Sequence, residues 1–220
     1  MDGNAVNTTN GAGPHNIQMF ILSADGTVLT CLPGYWNARD LVQEMALAAR
    51  LNQVWLDPSL NRGQKVQIFR QMHLAHIQEH SPEMRRRSHL QGFDAKYEAQ
   101  HRLTTSDFII DPGTARFAAM KGSQIPWQAF RTTDEVMHER LAQRPFVPYN
   151  YFDVAAYVNY GRPKYDKHED DRDSNGKVVK SKARNEPMIG NTSQMQNNNG
   201  GQAMLPLGPR GVLRLLKSAL

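Results

Sequence analysis

The chain has 220 residues, 40% of them hydrophobic, and carries a formal net charge of +5 with a single cysteine. That length holds one ordinary domain with extensions, or two small ones, and so modest a charge does not by itself mark a nucleic-acid binder. One cysteine excludes an intrachain disulfide and a cysteine-based zinc site, and no apolar run reaches membrane-spanning length.

Residues 1–16 are small and polar, with three glycines by position 13, and read as a flexible lead-in. Ile17–Leu22 is an apolar run of strand length, Ala24-Asp25-Gly26 supplies a turn, and Thr27–Leu32 returns as a second strand rich in β-branched residues. Pro33-Gly34 breaks it. Asn37 can cap the helix that follows, with Asp40 near its positive end. Ala38, Leu41, Val42, Met45, Ala48 and Ala49 recur at helical spacing and predict the covered face of that helix. Residues 52–62 read as a loop with Trp55 and Leu56 tucked beneath it.

Two helices follow. The first spans Gln64–Glu79, and the second starts at Ser81-Pro82, with the proline at the first helical position, and runs to about Leu103. Phe108-Ile109-Ile110 before Asp111-Pro112-Gly113 reads as a short strand and a turn. Thr132 with Glu135 is a capping-box pattern that opens a helix to about Gln143. The aromatic set Tyr149, Tyr151, Phe152, Tyr157 and Tyr160 is expected to pack on the core. From residue 161 the composition shifts to mixed charge and then to an Asn/Gln/Gly tract, which buries too little apolar surface to order itself, so 161–208 reads as a disordered polar tail. Residues 209–220 can form a short basic amphipathic helix. The expected fold class is α+β.

The hairpin and its helix resemble part of the thioredoxin superfamily. The likeness is carried by Pro14, FILSADGTVL (20–29), Leu32-Pro33-Gly34-Tyr35 and NARDLVQEMALA, and covers about residues 14–51. The resemblance implies a thioredoxin-like β-hairpin plus helix within 17–160, carrying additional helices, with Pro14 in the place of the family's cis-proline. The family's redox C-x-x-C has no counterpart here, because Cys31 is the sole thiol. The implied role is a binding or scaffold module without cofactor, or the C-terminal part of a thiol–disulfide oxidoreductase. A protein partner is expected and nucleic acid is not. Without a basic and apolar leader the expected location is the cytoplasm, or outside it if the true start lies upstream.

An alternative reading is a metal-binding protein or metalloenzyme. His73, His76 and His80 fall at i, i+3 and i+7, on the helical face that carries Val66 and Phe69. His76 and His80 have the i, i+4 spacing of zinc-binding helices, with Glu79 adjacent. The sequence H-E-x-x-H of metalloproteases is absent, and a further ligand must come from His89, His101 or His138. Zinc is the cofactor of this alternative. Cys31, on a strand among apolar neighbours, reads as a small buried hydrophobe. Arg85-Arg86-Arg87 reads as a solvated basic face.

Overall fold

A computed structural model of the chain describes residues 8–121 and 126–163, together with the backbone of two residue pairs near 171 and 178. The elements are β1 (Gln18–Leu22), β2 (Val28–Pro33), α1 (Ala38–Leu56), α2 (Arg62–Glu79), α3 (Pro82–Arg87), α4 (Gly92–His101), α5 (Pro112–Lys121), α6 (Thr133–Ala142) and α7 (Val154–Tyr157). A two-residue pair, β3 (Asp171–Arg172) with β4 (Val178–Val179), is antiparallel. The class is α+β: helices α1 and α6 pack on the antiparallel hairpin β1–β2, and the other helices pack largely on one another. Most of the expected tail, and all of the expected amphipathic helix at 209–220, lies outside the described residues. Among the described residues no helix is long and apolar enough to cross a membrane.

The hairpin forms where its sequence places it. Gly26 takes a φ of +84°, and the Asp25 carboxylate accepts the Thr27 amide at 3.0 Å, which closes the turn and sets Phe20 opposite Cys31. All six residues of β2 are buried, because helices cover this strand on both faces. Gly34 follows at φ +71°, and a Cβ there would stand 2.3 Å from the Ala12 carbonyl oxygen. Only glycine fits that approach.

That carbonyl belongs to the segment read as a flexible lead-in, and residues 8–16 are instead packed, with Ala12 bridged to Tyr35. Asn10 is buried and donates to Asp40 Oδ2 (2.7 Å) and Ser88 Oγ (3.1 Å), while its own carbonyl accepts the Asn37 amide (2.8 Å). Polar hydrogen bonding, which carries no hydrophobic signature, orders this strap. The peptide bond before Pro14 is trans, so the cis-proline expected there is not present.

Asn37 caps α1 as expected, but the covered face differs. Val42 and Met45 are exposed, and the buried residues are Asp40, Glu44, Leu47, Ala48 and Leu51. Two carboxylates on the inner face are the reason: Asp40 takes a two-pronged bond from Arg87 (2.6 and 2.9 Å), and Glu44 faces the histidines described below. Arg87 is therefore tied inward rather than part of a wholly solvated basic face, and Arg85 reaches the Ile77 carbonyl at 3.0 Å. Helix α1 continues to Leu56, so the expected loop is shorter. Trp55 stacks on Phe146 while Leu56 stays exposed.

Asn61 and Gln64 form a capping box on α2, and Ser81 caps α3 with Pro82 at its first position. The single helix expected from Ser81 to Leu103 is broken between α3 and α4. At the break Ser88 is buried and its carbonyl accepts the Thr133 amide at 2.6 Å, fastening the chain to the start of α6. The short strand expected at Phe108–Ile110 is a lone bridge from Ile109 to Phe130, and the Asp111 carboxylate accepts the Thr114 amide to open α5, a helix not foreseen. Of the aromatic set, Phe152, Tyr157 and Tyr160 are buried, whereas Tyr149 and Tyr151 are exposed.

Candidate metal centre

Helices α1, α2 and α6 meet beside β2, and at their meeting point each presents a titratable side chain. Glu44 comes from the inner face of α1. His73 and His76 come from α2, and His80 from the residue that caps its C-terminus. His138 and Asp134 come from successive turns of α6. All of these side chains are buried, flanked by Leu47, Phe69, Met137 and Leu141. Such apolar walls make unpaired charge costly and strengthen every electrostatic contact inside them.

One donor atom from each of Glu44, His76, His80 and His138 lies within 4.8 Å of the other three. The three histidines turn the same nitrogen toward the same carboxylate. His76 Nε2 and His80 Nε2 each stand 3.4 Å from Glu44 Oε1, and His138 Nε2 stands 3.2 Å from Oε2. These contacts are longer than charge-assisted hydrogen bonds, which run about 2.7–2.9 Å. His76 Nε2, His80 Nε2 and Glu44 Oε2 have no hydrogen-bond partner at all. Buried polar atoms without partners are rare in folded proteins, and an ion is one of the things that accounts for them. Bonds of about 2.0–2.1 Å arranged tetrahedrally put donor atoms about 3.3 Å apart, which is the spacing between the imidazoles and Glu44.

The outer nitrogens explain why the inner ones face that way. His80 Nδ1 donates to Asp134 Oδ2 at 2.6 Å, and His76 Nδ1 donates to Glu79 Oε2 at 3.1 Å. An imidazole that donates its Nδ1–H to an outer carboxylate has Nε2 turned inward, where its lone pair can ligate once any proton on Nε2 has left. His138 Nδ1 lies 2.9 Å from His73 Nδ1. Burial and the charge of His138 hold His73 well below the usual histidine range, so it stays neutral and can accept that proton. Each inward-facing imidazole thus has its own outer partner.

Charge follows the same plan. Burial works to raise the Glu44 carboxyl, but the charge and hydrogen bond of His138, with His76 and His80 beside it, hold it well below the ordinary carboxylate range. Burial also opposes ionisation of Asp134, and its bond to His80 outweighs that. Their imidazole partners thus favour the ionised form of both carboxylates.

The residues singled out in the sequence divide. His76 and His80 meet as their spacing implies, and His138 joins them, while the half-buried His89 and the exposed His101 stand outside the cluster. His73 stands one layer out, as the partner of His138. Glu44 was not foreseen. Its signal was the Asp40–Glu44–Leu47–Leu51 spacing, a helical face that competes with the more apolar one through Val42 and Met45. Cys31 is buried in β2, burial pushes its thiol up, and it serves as packing. In comparisons with known proteins, no protein-family model, no curated protein and no solved structure matches the chain.

Proposed function

We propose that this is a metal-binding protein whose centre is one divalent transition-metal ion held by Glu44, His76, His80 and His138. What supports the reading above all is that three imidazoles turn Nε2 toward one carboxylate, two of them with no hydrogen-bond partner there, while each Nδ1 is occupied from outside. Imidazole and carboxylate donors without thiolate suit zinc and its borderline neighbours rather than copper(I) or an iron–sulfur cluster. Four protein ligands in a buried setting fit a closed site, the arrangement of structural rather than catalytic zinc. The ion would cross-link the consecutive helices α1 and α2 to α6, which lies far along the chain from both.

The competing reading, a binding module without an ion, treats the same residues as a buried ion-pair network. Zinc loading separates the two. The full chain, stripped with chelator and dialysed against zinc, should bind one equivalent. At a free concentration of about 100 times Kd the ion adds about 2.7 kcal/mol, which raises Tm by about 5–10 °C for a domain of this size. Unchanged Tm and no retained zinc would favour the ion-pair network.

A further inference from the structure

Three of the four proposed ligands are sealed from solvent by groups that are themselves sealed. The side chains of Glu44, His80 and His138 are wholly buried, as is Asp134 behind His80, and His73 behind His138 is buried as well. His76 differs. Its outer nitrogen contacts Glu79, whose side chain is 52% exposed, and the same Glu79 oxygen takes a contact from Arg50 Nη2 at 3.3 Å. Arg50 is half exposed on α1 and Glu79 lies at the end of α2, so their ion pair spans the seam between the two helices directly over His76.

Resting on the metal-centre reading above, we propose that the Arg50–Glu79 pair is the port through which a divalent cation reaches and leaves the centre. Glu79 is the carboxylate an incoming cation meets first. The cation displaces Arg50 from Glu79 and is then passed inward as the His76 ring, whose Nδ1 is bonded to the exposed Glu79, swings aside about its χ bonds. When the ring returns, Nε2 closes the coordination and Nδ1 regains Glu79, with Arg50 latching the seam. An exposed ion pair is worth little to stability, so its opening is cheap, and a port needs that. Asp134, although it plays the same orienting part for His80, has no such exposure and can only hold.

The two roles leave different kinetic signatures. An orienting partner acts on the dissociation rate, whereas a port carboxylate acts on the association rate through its charge at the mouth. Zinc uptake by the full chain, and zinc transfer from it to a chromophoric chelator, are followed by stopped flow. Glu79→Gln is expected to slow association about tenfold. Arg50→Ala should speed both association and release several-fold and leave Kd within about twofold, because it removes a repelling charge and a latch without touching a ligand. Asp134→Asn should speed release with association unchanged, and Arg70→Ala, an exposed change elsewhere on α2, should do neither. The port is overturned if Glu79→Gln changes only the release rate, as Asp134→Asn does, or if Arg50→Ala behaves like Arg70→Ala. Wild-type chain that takes up no zinc overturns the metal-centre reading itself, a result distinct from either of those.

Discussion

Glu44→Gln is expected to lower zinc affinity by more than about 100-fold, the upper end of what losing a mere outer partner costs. The substitution keeps the side chain's shape and removes the one negative charge on which three imidazoles converge. The ion-free chain suffers too. Taking one partner out of a buried charged set leaves the rest uncompensated, at a cost of about 3–5 kcal/mol, which urea unfolding of the chelator-treated variant would register as a lower midpoint. Affinity within about threefold of wild type would remove Glu44 from the ligand set.

The second large effect is with pH. Burial works against a charge on His80, but its bonds to Asp134 and Glu44 and their charges outweigh this and raise its pKa to about 9. A protonated His80 cannot ligate, so below that value each ion bound displaces its proton. Apparent zinc affinity should therefore rise about tenfold per pH unit from pH 7 and level off near pH 9. The ion-free chain should move the other way. A raised histidine contributes stability that is complete below its unfolded value of 6.5 and is lost as pH climbs to about 9. Glu44 and Asp134, both lowered, give stability that is present above their unfolded values of 4.5 and 3.8 and lost as pH falls through their folded ones. His73, also lowered, makes the fold less stable as pH drops below 6.5, where the unfolded chain takes up a proton that the buried ring refuses. The gap in Tm between zinc-loaded and ion-free protein should thus widen from pH 6.5 to 9. Competition titrations with a buffered chelator across that range check the affinity slope, and a flat profile would contradict it.

The parts of this architecture that were legible in the sequence are those fixed by local chemistry. The Asp25-Gly26 turn, the Asn37 and Ser81 caps and the Pro82 start are short-range signals, and each produces the element it announces. The histidine face of α2 was legible too, because i, i+3 and i+7 spacing survives whatever packs against it. What the sequence hid is where polar groups replace apolar ones on an inner surface. Hydrophobic periodicity turns α1 toward Val42 and Met45, and the fold turns it toward Asp40 and Glu44, since Arg87, Asn10 and three histidines wait there. The same cause hid the packing of residues 8–16, which hydrogen bonds from Asn10 secure. Places where local hydrophobic logic fails in this way are where function is to be sought, and both carboxylates lie on α1, one of the three helices that build the site.

X-ray absorption at the zinc edge of the loaded full chain tests the central claim most directly. One ion with three imidazole nitrogens and one carboxylate oxygen at about 2.0–2.1 Å is the result predicted, and the His138→Ala chain should lose one imidazole or the ion altogether. A spectrum that is unchanged in Glu44→Gln, His80→Ala and His138→Ala, as it would be if zinc sat on His89 or His101 instead, would contradict it.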